Sequence, residues 1–252
     1  MYVAKMEFRC SDSVDGDLLY EHAMKLLGAL RQNGQICGRE YPIALTPDGV
    51  LATVMIPAAD ALDESQHNSY VRQNIERFCE IEVNGPYFGL IGEDMAGEIC
   101  ECTSPGSYVL HTDYVTLDSP LRCGDCFDPI PLYRIPPTYE DEYYNVICWQ
   151  SDYRSCDSLQ MNCRTLERAA TRQISDPTSS LSQQGRALCQ QIEALTGKPT
   201  YYHLYRSGGR RRSAELKRVC PACRQPWLLD QPWHGFEFRC EPCRLVSTLG
   251  AE

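Results

Sequence analysis

The chain has 252 residues, 43% of them hydrophobic and 23% charged, with a formal net charge of -10. Such proportions fit a soluble globular protein with room for one large domain or two modest ones plus a small appendage. No apolar run reaches the roughly 20 residues of a membrane span, and residues 1–9 lack the apolar segment of a secretion signal, so a cytoplasmic protein without membrane contact is expected.

In chain order, Tyr2, Ala4, Met6 and Phe8 alternate with more polar neighbours and predict a first strand with one apolar face. Asp15 or Asp17 can cap a helix whose stripe is Leu18, Leu19, Leu26, Leu27 and Leu30, and Asn33-Gly34 ends it. Residues 36–45 and 50–56 read as antiparallel strands joined by a turn at Thr46-Pro47-Asp48-Gly49. A second helix is expected over 63–79, with Tyr70, Ile75 and Phe78 inward, followed by extended chain through Phe88 to Ile91. Strand–helix–strand–strand–helix–strand is the ferredoxin-like split order.

Residues 98–135 read as short strands and Pro-rich loops. Helices follow over 141–172, broken near Cys163, and over 180–195, where Leu181, Leu188, Ile192 and Leu195 share a face and Thr196-Gly197 is the stop. A strand over 200–205 precedes the Gly- and Arg-rich break at 207–213. The expected class is α+β, with a ferredoxin-like domain over 1–97, a mixed strand and helix domain over 98–206, a basic linker over 207–218 and a zinc ribbon over 219–252.

Cys220, Cys223, Cys240 and Cys243 form two Cys-x-x-Cys pairs. Each such turn offers zinc two thiolates, and two turns complete a tetrahedral shell with no position left for substrate, so one structural zinc is expected. Phe236 and Phe238 alternate as core residues, Trp227 and Trp233 suit either core or base stacking, and His234 reads as a surface residue. A third pair, Cys123-Gly124-Asp125-Cys126, lacks a second Cys-x-x-Cys partner. The spacings of Cys148, Cys156, Cys163 and His111 match no site, so a structural turn is expected there rather than a redox dithiol or a second metal. Cys10, Cys37, Cys79 and Cys189 lie in apolar-patterned segments and read as small hydrophobes.

Charge is uneven. Residues 206–252 carry nine Lys+Arg against five Asp+Glu, whereas the chain as a whole has 24 against 34. An acidic body suits a basic protein partner. The basic stretch Arg210, Arg211, Arg212, Lys217 and Arg218 can neutralise phosphates, stand as a solvated linker, or rest on the chain's own acidic body. Acidic clusters at Asp12/Asp15/Asp17, Glu93/Asp94/Glu98 and Glu140/Asp141/Glu142 read as solvated faces, and the chain carries no established catalytic motif.

The ribbon cysteines followed by Arg244-Leu245-Val246-Ser247 carry a resemblance, together with Cys123-Gly124-Asp125-Cys126, Ile130-Pro131-Leu132-Tyr133-Arg134, and Trp149 ahead of Tyr153 and Leu159. As a set they resemble the proteobacterial family of unknown function described as zinc-ribbon-containing and as a candidate for nucleic-acid binding. That resemblance implies a C-terminal ribbon and no assigned activity. A second resemblance, carried by no motif, is to an immunity protein paired with a secreted type VI nuclease of a pseudomonad, and acidic inhibitors of basic nucleases gain encounter rate from their charge. The expected function is non-enzymatic protein–protein contact, in the form of an immunity protein neutralising a nuclease toxin. The alternative is nucleic-acid binding through the ribbon and the Arg run. The oligomeric state is left open.

Overall fold

A computed structural model describes residues 1–10, 15–81, 83–95, 98–209 and 211–250. It divides into two compact units, the first comprising Met1–Ile99, Leu117–Ser119 and Ile130–Tyr144, the second Cys100–Thr116, Pro120–Pro129 and Asn145–Glu252. Both mix helices and sheet.

The first unit runs β1 (Tyr2–Arg9), α1 (Gly16–Gln32), β2 (Ile43–Thr46), β3 (Gly49–Ile56), α2 (Ser69–Glu80) and β4 (Asn84–Glu93), with sheet order β2-β3-β1-β4. Alternation sets the register. Ala4, Met6 and Phe8 face Val54, Ala52 and Val50 on the antiparallel neighbour, and all six are buried. Leu19, Ala23, Leu26, Leu27 and Leu30 of α1 close over them, and Phe78 of α2 stacks on Phe8 at 5.0 Å between ring centroids. Leu18, counted in the helical stripe, lies at its rim and is exposed.

Two elements are shorter than the apolar pattern suggests. β2 covers only Ile43–Thr46, because upstream the chain makes a single bridge, Cys37 to Met55, before Gly38 turns with φ 84 and Pro42 removes a donor. The second helix begins at Ser69, because the Asn68 side chain accepts from Val71 N at 2.9 Å and caps it there; Glu64–Gln66 ahead of it is one 3-10 turn.

The second unit holds a six-stranded sheet of order β6-β5-β7-β10-β9-β8. Its members are β5 (Tyr108–Leu110), β6 (Leu121–Cys123), β7 (Thr200–His203), β8 (Leu228–Trp233), β9 (Phe236–Cys240) and β10 (Leu245–Ser247). Helices α3 (Tyr144–Met161), α4 (Glu167–Ser175) and α5 (Ser180–Thr196) connect β6 to β7. The break expected near Cys163 is present, with Cys163 (φ 51) and Leu166 (φ 58) both left-handed between α3 and α4.

The expected separation of ribbon, linker and middle domain is not what the backbone shows. β10 lies parallel to β7, with Tyr202 N donating to Arg244 O at 2.8 Å and Leu204 N to Val246 O at 2.9 Å, so the ribbon strands extend the sheet of the middle segment. The stretch read as a linker folds as the short helix α6 (Arg212–Glu215), and Glu215 is buried between Arg206 and Arg218. A buried carboxylate with two guanidinium partners fixes that stretch in place.

Helix α5 reaches the sheet at Gly185. A Cβ there would lie 2.3 Å from the Tyr202 ring and 2.7 Å from Trp149 Nε1. Gly185→Ala should therefore destabilise the protein, because overpacking of about 1–3 kcal/mol outweighs a helix-propensity gain of about 1 kcal/mol. A lower urea midpoint is expected, and a raised one would contradict the close helix–sheet contact.

Candidate metal centre

The ribbon cysteines converge. Cys220 and Cys223 lie on the turn leading toward β8, Cys240 ends β9, and Cys243 lies on the turn into β10. The four sulfurs all lie within 4.8 Å of one another, with Cys223 Sγ 3.6 Å from Cys240 Sγ. Tetrahedral zinc–thiolate bonds of about 2.3 Å put sulfurs about 3.8 Å apart, so the donor set fits zinc. The Gln225 N–H aimed at Cys223 leads in lowering its pKa to about 7, whereas burial pushes Cys240 well up and Cys243 up to about 11. A bound cation would hold all four deprotonated.

The aromatic residues between the pairs serve packing. Phe238 is fully buried, lies 5.2 Å from the buried Trp227 ring, and carries the Arg218 guanidinium 4.3 Å above it. Phe236 is also buried, but in a different cluster with Val109, Tyr201 and Val246. Trp233 is half-buried, and its indole N–H donates to Gly124 O at 3.0 Å. His234 is not a plain surface residue. Its Nε2 lies 2.8 Å from the same carbonyl and its ring stacks on Phe127 at 5.3 Å.

Of the basic residues, Arg210 lies outside the described residues, while Arg211, Arg212 and Lys217 are exposed. Arg218 is withdrawn from phosphate contact. It pairs with Glu215 at 3.2 Å, donates to Thr248 O at 2.8 Å, and its side chain is 18% exposed. Asp12 also lies outside the described residues, and in its cluster Asp15 accepts from Asp17 N as the cap of α1. Asp141 accepts from Ser69 N and Glu140 from the Tyr70 hydroxyl, both structural contacts.

Cys123 and Cys126 have the partners that Cys-x-x-Cys spacing did not reveal. Cys100 and Cys102 lie beside them, with all four sulfurs again within 4.8 Å. Two four-cysteine groups are therefore placed to hold metal where one zinc was expected. The overlooked signal is the Cys100-Glu101-Cys102 pair, whose i, i+2 spacing puts two thiols on the same side of an extended segment. His111 is placed elsewhere, stacked on His203 at 4.8 Å. Among the lone cysteines, Cys189 is buried and Cys79 exposed, and burial pushes Cys37 up to about 12.

Three family models match in series, each described as a domain of unknown function: DUF8589 over residues 1–92, DUF2310 over 102–205 and DUF8594 over 209–252. An uncharacterized protein of Haemophilus influenzae is 37% identical across 99% of this chain and 98% of its own length. A second uncharacterized protein of that organism is 43% identical across 68% of this chain and 84% of its own. A solved Deinococcus radiodurans structure, named for an antibiotic biosynthesis monooxygenase, aligns with 41% of this chain and all of its own at 16% identity. Its TM-score of 0.27 carries no argument about fold or activity.

The buried pair His111 and His203 generates a pH prediction. Burial first, then the Arg122 charge, lowers the His111 pKa to about 4; burial, then His111, takes His203 well below the usual value, and neither nitrogen of His203 has a hydrogen-bond partner among the described residues. Both rings stay neutral when folded, whereas in the unfolded chain they take up protons below about pH 6.5. Unfolding thus binds protons, so stability falls as pH drops from about 6.5 toward about 4, by up to about 1.4 kcal/mol per pH unit for each ring. Urea unfolding at pH 7 and 5.5 should show a smaller loss in the His111→Phe/His203→Phe double variant. An equal loss in both proteins would contradict the neutral buried pair.

Proposed function

The chain belongs to one family with the uncharacterized Haemophilus influenzae protein that it matches end to end, and from that premise we propose a non-enzymatic binding protein. It acts by protein–protein contact through its acidic first unit, with the ribbon zinc as a structural element. The observation that carries this reading is the segregation of charge. The first unit has eight Lys+Arg against twenty Asp+Glu, the second sixteen against fourteen. Acidic surface of that density raises the encounter rate with a basic partner and disfavours nucleic acid.

The first unit also offers a surface on which such a partner can dock. β4 is an edge strand, and Tyr87, Leu90 and Ile91 are exposed along it, ending at the exposed Glu93. Aromatic and aliphatic anchors with a charged rim are what protein interfaces use. The order β2-β3-β1-β4 supports reading this unit as ferredoxin-like. Closed four-thiolate coordination supports a non-enzymatic role, and reduced thiol ligands suit the cytoplasm. Within this class we propose neutralisation of a basic nuclease, in the manner of an immunity protein.

Nucleic-acid binding is the second reading, favoured by the exposed Arg211, Arg212 and Lys217. It is weakened by Arg218 and Arg206, both engaged by Glu215.

Co-purification of the tagged protein from its host separates the two readings. A basic protein partner is expected, bound more weakly as salt rises and lost in Glu93→Lys/Leu90→Glu, but retained in Arg211→Ala/Arg212→Ala. Retardation of nucleic-acid probes at moderate salt, with a salt slope reduced by Arg211→Ala/Arg212→Ala, and no stable protein partner, would overturn the proposal.

A further inference from the structure

The ribbon's first turn has a counterpart in the other cysteine group. Cys123-Gly124-Asp125-Cys126-Phe127-Asp128-Pro129 and Cys220-Pro221-Ala222-Cys223-Arg224-Gln225-Pro226 share the pattern Cys-x-x-Cys-x-x-Pro. Their backbones are bonded alike. Cys123 N donates to Asp128 O at 3.0 Å and Cys220 N to Gln225 O at 2.9 Å, while Phe127 N and Arg224 N return to Cys123 O and Cys220 O, both at 2.9 Å. Both turns are closed by an antiparallel bridge, Arg122 with Pro129 and Val219 with Pro226. The residue after the second cysteine is left-handed in each, Phe127 at φ 68 and Arg224 at φ 64. A bulky side chain takes that conformation only where its surroundings impose it.

From this repetition we propose that Cys100, Cys102, Cys123 and Cys126 form a second structural zinc site. Two independent segments supply the thiols. Cys100 N donates to Pro129 O at 3.0 Å, which fixes the Cys-x-Cys segment to the end of the turn. Cys102 N points at Cys100 Sγ and Asp125 N at Cys123 Sγ, each at 3.4 Å, the N–H to sulfur contacts that stabilise metal-bound thiolates. All four cysteines are free thiols. Four sulfurs in this arrangement select zinc or iron over harder cations. A redox dithiol would open a helix, whereas this pair leads into extended chain ending at Pro129.

The surrounding loop is shaped to hold the turn. Gly124 N donates to Ser107 O at 2.8 Å, and a Cβ on Gly124 would lie 2.0 Å from Ser107 Oγ. Asp125 accepts from Gly106 N at 2.8 Å. On its other side Gly124 O meets Trp233 and His234 at the tip of the β8–β9 hairpin. The second site therefore anchors the tip of the hairpin whose base carries the ribbon cysteines. This goes beyond the proposed binding role and does not depend on it.

The test uses the full chain, purified in reducing buffer and dialysed exhaustively. Metal analysis should give two zinc per chain, falling to one in Cys102→Ser/Cys126→Ser. One zinc in the wild type, or iron in place of the second zinc, would overturn the assignment. Should the variant fail to fold, alkylation of the wild-type protein decides. Cys102, Cys126 and Cys79 are all exposed, and each is compared with itself before and after chelation, since thiol reactivity also follows local pKa. Metal binding predicts that a chelator speeds alkylation of Cys102 and Cys126 at least tenfold and leaves Cys79 unchanged. Rates at Cys102 and Cys126 that do not change on chelation would refute the site.

Discussion

Thiol sulfurs do not gather in fours without a reason. Within 4.8 Å of one another, four thiolates repel and four thiols make only weak hydrogen bonds, so neither state holds such a cluster by itself. A tetrahedral dication removes the repulsion and turns the cluster into a cross-link. In the second unit the ribbon cluster joins the turn before β8, the end of β9 and the turn into β10. The strands it organises are short, three residues in β10 and five in β9, and would bury little apolar surface alone. A metal bound there would tie together the elements that lay β10 beside β7, seat Phe238 against Trp227 and carry the hairpin tip to Gly124.

The first unit rests on different physics. Its core is a sheet face of Ala4, Met6, Phe8, Val50, Ala52 and Val54 beneath two helices, closed by apolar packing. Period-two and helical patterning made this half legible in the sequence, and the first strand, first helix and hairpin turn appear where expected. Capping and turn chemistry moved the boundaries. Asn68 starts α2 later than the apolar pattern does, and Gly38 with Pro42 shortens β2.

The second unit was legible only where spacing is local. The ribbon ligands follow from two Cys-x-x-Cys pairs, but the Cys100-x-Cys102 partner of the third pair depends on the long-range pairing of Cys100 N with Pro129 O, beside the β5–β6 ladder. No local pattern encodes that pairing, nor the parallel alignment of β10 with β7 that merges ribbon and middle segment into one sheet. The basic stretch shows the same limit. Composition marks it as a linker, whereas the buried Glu215 folds it by drawing in Arg206 and Arg218. The surviving functional signal is the acidity of the first unit, a property of composition that folding concentrates rather than creates.

Amide hydrogen exchange before and after zinc removal by a chelator, which leaves the apolar core of the first unit unmodified, tests the cross-link account most directly. Loss of protection in β9, β10 and β7, with β1 and β3 unchanged, is the predicted result. Undiminished protection of β9 and β10 in zinc-free protein would contradict it.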